Sequence, residues 1–249
     1  MSGHSKWSTI KRQKGAADIK RGQTFTKIAN AITIAVRAGG SGDPSANPRL
    51  RVAEEAARAL NMPKENIERA IERGLGVGKE ALEEVTYEGF GPGGVAFYIE
   101  GVTDNKLRTN QEIKSLFERA GGSLGGSGSV VYMFEKKGEL RVKSRGEGID
   151  EEMLKLIDLG VEDVESLDNA RDFQDNIRRY LVYVESPELN TMSTKITQAG
   201  FEVESAEIVM KANILQKIDD PQLAKRVVDL AGKLEDNPDI QKVYDNFGD

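Results

Sequence analysis

The sequence predicts a multi-domain chain of α and α+β parts: an N-terminal three-helix bundle, then two α+β domains, one ferredoxin-like and inserted in the other. Its 249 residues exceed one typical domain of roughly 100–200 residues. Apolar residues recur at helical spacing as far as Gly74, and beyond it at the alternation of half-buried strands. Residues 138–207 then spell out the order βαββαβ, the ferredoxin-like split unit.

Within residues 24–36, Phe25, Ile28, Ala29, Ile32, Ala35 and Val36 form one apolar helical stripe, and Gly39-Gly40 ends it. Asn47-Pro48 supplies an N-cap and a proline at the first position of a second helix, with Leu50, Ala53, Ala57 and Leu60 on one face. Pro63 opens a third helix with Ile67, Ala70 and Ile71 inside, and the glycine-rich stretch 74–78 marks a domain boundary. Residues 85–87 and 95–99 read as the strands of a hairpin around the glycines of 89–94. A helix carrying Ile113, Leu116, Phe117 and Ala120 follows, then a glycine-rich loop at 122–128 that is mobile by composition, then a strand at 130–134.

The βαββαβ unit reads as strand 140–142, helix 151–159, strands 164–167 and 180–184, helix 188–199 and strand 202–206. A helix near 222–234 and a strand near 240–247 are left to complete the layer begun by the hairpin. The predicted domains are therefore 1–80, basic and helical; 81–137 with 208–249, discontinuous; and the insertion 138–207.

Composition excludes several function classes. Without cysteine there is no disulfide framework, thiolate-held zinc, iron–sulfur cluster or thiol nucleophile. One histidine, His4, makes no His-rich metal site and leaves a hydroxyl nucleophile without its usual base. No apolar run approaches the 20 or so residues that span a bilayer. The start, Met-Ser-Gly-His-Ser-Lys-Trp, has no apolar run behind its charges, so a cytoplasmic protein is expected. The glycines of 89–94 match G-x-G-x-x-G, but they lead into a strand, whereas a dinucleotide loop must open a helix toward the pyrophosphate. The expectation is a non-enzyme with no catalytic residues, cofactor, metal or small-molecule substrate, and no membrane partner.

Charge is where the sequence speaks of function. The net charge of −6 hides residues 1–80 at 15 Lys and Arg against 8 Asp and Glu, and residues 1–40 at 8 against Asp18 alone. Such a local field attracts a polyanion whatever the whole-chain balance. Lys6, Lys11, Arg12, Lys14, Lys20, Arg21 and Lys27 are candidate phosphate contacts, and Trp7 among them can stack on a base. Arg49 and Arg51 extend the candidate surface from the start of the second helix. The third helix offers Lys64, Asn66, Arg69 and Arg73, diluted by Glu65, Glu68 and Glu72, with no clear helix-turn-helix spacing. Candidate partner contacts are the hairpin tip Gly91, Pro92 and Gly93, and Lys106 and Arg108 near a helix start, where the dipole gives a cation no support.

A series of ordered blocks resembles the YebC family. They are Gly3-His4-Ser5-Lys6-Trp7 with Lys11 and Lys14; Arg21-Gly22 with Phe25-Thr26-Lys27; and Asn47-Pro48-Arg49-Leu50-Arg51. The run from Met62-Pro63-Lys64 to Ala70, Tyr87-Glu88-Gly89-Phe90-Gly91-Pro92-Gly93-Gly94, Thr103-Asp104-Asn105 with Arg108-Thr109, and Gly121-Gly122-Ser123-Leu124-Gly125 continue the match. It is weaker over 138–207, and Arg12-Gln13 stands where the family often carries His-Arg. The resemblance implies three domains and a regulator of gene expression that binds DNA through its N-terminal domain. For other family members it implies a translational activator on ribosomal RNA, relieving stalls at difficult sequences. A protein-interaction adaptor, its acidic remainder meeting a basic protein, is the further alternative.

Overall fold

The computed structural model describes residues 19–76, 82–167 and 177–248. The helical region comprises α1 (Ile19–Gly39), α2 (Pro48–Ala59) and α3 (Lys64–Gly74). Buried Asn47 joins the first two: its Oδ1 accepts the Leu50 amide at 3.1 Å, and its Nδ2 donates to the Ala35 carbonyl at 2.8 Å. One side chain thus caps the start of α2 and ties it to the last turns of α1. Ile32, Val36, Leu50, Ala57, Ile67 and Ala70 form the shared core. Leu60, expected on the buried face, is instead the exposed C-cap of α2, because the chain leaves the helix there.

β1 (Glu83–Phe90) and β2 (Ala96–Thr103) pair antiparallel from Glu83↔Thr103 to Phe90↔Ala96, joined by a 3₁₀ turn at Pro92–Gly94. α4 (Lys106–Ala120) follows, ended by Gly121 in the left-handed conformation, and β3 (Ser123–Leu124) returns to the edge of β1. Phe117 of α4 meets Phe97 of β2 edge-to-face at 5.7 Å, both rings fully buried. The glycine-rich loop expected to be mobile is pinned. The carboxylate of buried Glu88 accepts the Gly128 amide at 2.8 Å and the Val130 amide at 2.7 Å, and its carbonyl accepts that of Gly125.

The strand expected at 130–134 is not formed: Val131–Met133 is a 3₁₀ turn, and β4 (Phe134–Lys143) begins after it. β4 absorbs the expected strand 140–142 by running straight through Gly138. Glycine is needed there for close approach: a Cβ would stand 2.9 Å from Val184 Cγ2 and 3.0 Å from Leu189 Cδ1.

α5 (Ile149–Asp158), β5 (Asp163–Leu167), β6 (Arg179–Glu185), α6 (Leu189–Gln198) and β7 (Glu202–Ala212) complete a wholly antiparallel sheet of order β5-β6-β4-β7, the ferredoxin-like arrangement. Its helical face buries Leu140, Leu156, Tyr180, Val182, Met192 and Ile196. α7 (Pro221–Glu235) and β8 (Ile240–Asp245) follow, and β8 joins the first sheet beside β2, giving β3-β1-β2-β8.

Two compact units result: Val131–Lys217 with the residues from Asn246, and the described chain up to Val130 with Ile218–Asp245. β4 and β7 therefore run through the boundaries expected at residues 137 and 207.

The ferredoxin-like unit turns on Glu152, which is fully buried. Burial raises its pKa, but hydrogen bonds from Ser144 Oγ and Tyr180 Oη, each at 2.7 Å, and from the amides of Arg145 and Glu147 outweigh it and hold the carboxyl below its ordinary 4.5. Replacing Glu152 with Ala removes the acceptor of four donors, the buried Tyr180 hydroxyl among them, and is expected to lower stability by about 3 kcal/mol in urea titrations. Because the folded value lies below the unfolded one, the carboxylate's contribution is complete above pH 4.5. It is lost as the pH falls through the folded value, so the stability difference between the parent and Glu152→Ala should narrow in acid.

Candidate nucleic-acid interface

Of the cations that the sequence proposes, Lys6, Lys11, Arg12 and Lys14, and with them Trp7, lie outside the described residues. Lys20 and Arg21 lie at the start of α1, their side chains likewise outside the description. Lys27 has a structural partner: its Nζ donates to the Glu235 carbonyl at 2.6 Å, placing a cation at the negative end of α7. Arg37 ties the helical region to the strand side of its unit by donating to the Leu82 carbonyl at 2.9 Å.

Arg49 and Arg51 stand in the first turn of α2, which holds no acidic residue, so both oppose the helix dipole. Arg49 pairs with Glu84, and both side chains are more than half exposed. An ion pair so wet is worth about 0–1 kcal/mol, which leaves Arg49 exchangeable to a phosphate. Arg51 is exposed, and its side chain has no hydrogen bond or ion pair to another described residue.

The third helix reads differently in three dimensions. Asn66, Arg69 and Arg73 recur at i, i+3 and i+7 and line one groove against α1, with Phe25, Thr26, Ala29, Met62 and Ala70. Its volume is about 180 Å³. Glu65, Glu68 and Glu72 occupy the adjacent stripe, outside this lining, and Glu68 pairs with Lys64 at 3.3 Å. The sequence names these residues; composition alone averages two faces that the helix separates.

The second polar cluster is mostly internal. Asn105 caps α4 through the Arg108 amide at 3.1 Å. Arg108 donates to Asp104 at 2.8 Å and to Asp239, just before β8, at 2.7 Å. The same Asp239 oxygen accepts the hydroxyls of Thr109 at 2.6 Å and Thr103 at 3.0 Å. Burial raises the Asp239 pKa, but the Thr109, Arg108 and Thr103 bonds and the Arg108 charge outweigh it and hold the carboxyl below its ordinary 3.8. Lys106 is exposed beside Glu83, at 2.5 Å. At the hairpin, Gly91 and Pro92 are buried, against the expectation of an exposed tip, while Gly93 and Gly94 face solvent. Burial follows from the turn's packing on α7: a Cβ on Gly91 would meet Phe97 and Leu230.

Among the described residues, no group of three or more His, Cys, Asp or Glu is placed to hold a metal ion, and no helix is long and apolar enough to cross a membrane. An N-terminal helical region followed by two sheet-containing domains, the first completed by β8 after the chain has passed through the second, defines the structural class.

The chain belongs to the TACO1/YebC family. The model of the family's N-terminal domain matches residues 5–77, and that of its second and third domains matches residues 82–247. A relative from Chloroflexus aurantiacus is 48% identical over 250 residues, covering 99% of this chain and 95% of its own. Another from Persephonella marina is 45% identical over 250 residues, covering 99% and 96%. Both are named "Probable transcriptional regulatory protein". The crystal structure of a conserved hypothetical protein from Aquifex aeolicus aligns with a TM-score of 0.79 at 38% identity, covering 94% of this chain and 93% of that one.

The two kinds of charge are separable by mutation. Asp239→Ala removes the shared acceptor of Thr103, Arg108 and Thr109 and is expected to cost about 2–4 kcal/mol in urea unfolding. Arg51→Glu, at an exposed and unpaired position, should stay within about 0.5 kcal/mol of the parent in the same titration.

Proposed function

We propose that this chain is a non-enzymatic, nucleic-acid-binding regulator of gene expression that acts in the cytoplasm through its basic N-terminal domain. The observation that carries the reading is the segregation of charge: residues 1–40 hold 8 Lys and Arg against Asp18, in a chain of net charge −6. That local field gathers a polyanion and gains from the counterions it releases, while the acidic remainder repels the same ligand. Lys6, Lys11, Arg12, Lys14, Lys20 and Arg21 are the proposed phosphate contacts, Trp7 stacks on a base, and Arg49 and Arg51 extend the surface. Lys27, engaged with α7, contributes charge more than contact.

The relatives' name supports DNA as the polyanion and transcription as the level of action. A second reading, structured RNA on the ribosome, is favoured by α3. A helix laid in the major groove has phosphates along both flanks, and the stripe Glu65, Glu68 and Glu72 would face one of them. A surface that grips phosphates from outside and stacks unpaired bases has no such conflict.

Binding of the full chain to duplex DNA, followed against salt, tests the shared claim. With about five phosphates contacted, the log–log slope is expected near −4 to −5. Changing Lys6, Lys11 and Lys14 together to Glu should weaken binding and flatten that slope by about 2–3. A slope near zero rejects the reading and favours a protein adaptor. Sedimentation of lysate with and without nuclease then separates the levels: co-migration with large ribosomal subunits means translation, and a footprint on a defined promoter means transcription.

A further inference from the structure

We infer that the groove between α1 and α3 receives one unstacked nucleotide of the bound nucleic acid, its base over Phe25 and Met62 and its phosphate at Arg73. The inference rests on the N-terminal domain being the nucleic-acid-binding part, and it adds a specific receptor to that diffuse basic surface.

Size limits the occupant. At about 180 Å³ the groove is smaller than the roughly 300–1,000 Å³ of pockets for drug-sized ligands, and suits one ring system rather than a helix or an extended peptide. Chemistry narrows it further. The floor is apolar, with half-buried Phe25 and buried Met62 and Ala70. The rim carries Asn66, Arg69 and Arg73, and no carboxylate of a described residue lines the groove. An aromatic floor under cationic, hydrogen-bonding edges is what an unstacked base and its phosphate require.

The rim is also preorganised. Arg69 Nε donates to the Glu65 carbonyl at 3.2 Å, and its guanidinium donates to Asn66 Oδ1 at 2.8 Å. The planar guanidinium is thereby held on the helix surface, and Asn66 is turned to offer its NH₂ group as a donor. The Arg73 side chain has no hydrogen bond or ion pair to another described residue. The helix dipole accounts for a cation at Arg73, in the last turn of α3, but not for the Asn66–Arg69 pair beside it.

The full-length protein, labelled at its methionine methyl groups, tests this by NMR, with the Met62 signal assigned through Met62→Leu. The probes are a single-stranded hexamer of adenylate as RNA and as DNA, a duplex RNA, and inorganic triphosphate. The expected result is a ring-current shift of the Met62 methyl with a single strand, absent with duplex and with triphosphate. Response to both single strands assigns the site to a nucleotide of either kind, and response to the RNA strand alone assigns it to RNA. Arg73→Ala should weaken single-strand binding about tenfold while duplex affinity stays within twofold.

A Met62 signal unmoved by bound single strands overturns the inference and leaves the proposed function standing. So does an equal shift with triphosphate, which would make the groove an anion site only, or unchanged affinity in Arg73→Ala. Failure of every nucleic acid to bind at all removes both.

Discussion

One carboxylate holds the discontinuous part of this protein together. Asp239 stands at the entrance to the last strand, β8, and gathers hydroxyls from the end of β2 and the first turn of α4, with the Arg108 guanidinium closing the set. The sheet β3-β1-β2-β8 exists only because a strand from the C-terminal end pairs with a hairpin made far earlier in the chain. Closing so long an excursion would carry a loop entropy that grows with its logarithm. The excursion, however, is itself folded. β4 and β7, its first and last strands, pair side by side from Phe134↔Ala212 to Lys143↔Glu202, and the Asn213 amide meets the Met133 carbonyl at 2.8 Å. Chain leaves and returns at one place, which is why an insertion of this kind is compatible with closure.

The same principle, buried charge made safe by saturation, recurs in both units. Glu152 has four donors and Glu88 anchors two loop amides. Lys137, almost wholly buried, is held protonated well above its ordinary range: burial works against its charge, but Glu162, Glu185 and Glu135 around it outweigh burial. Such groups define geometry and are unavailable to a ligand. The cations open to one are of another sort: the Arg51 and Arg73 side chains have no polar partner among the described residues, and Arg49 and Lys106 sit in wet, exchangeable pairs. Function is read more surely from this difference in engagement than from the number of charges.

Sequence reasoning reached most of the helices and strands, because their signals are local. Asn47-Pro48 is a cap whose atoms all lie within a few residues of the helix it starts, and the Phe25-to-Val36 stripe needs only a periodicity of 3.6 to be seen. It failed where a distant partner decides. The strands expected at 130–134 and 140–142 are one strand, β4, whose Gly138 lies close to Leu189; the loop near Gly128 suggested mobility and is tied to Glu88, 40 residues earlier. The hairpin tip was half legible, since nothing local shows that α7 covers Gly91.

By itself the sequence determined the kinds of elements, their order, the basic character of the N-terminal region and the absence of thiol and His-rich chemistry. These depend on composition and on neighbours along the chain. Only the tertiary structure decided which charges are engaged, that the glutamates of α3 fall on a different stripe from Asn66, Arg69 and Arg73, and that these three meet Phe25 in a groove. Contacts across 40 residues or more are set by packing and by the pairing of buried polar groups, and no local pattern of side chains encodes them.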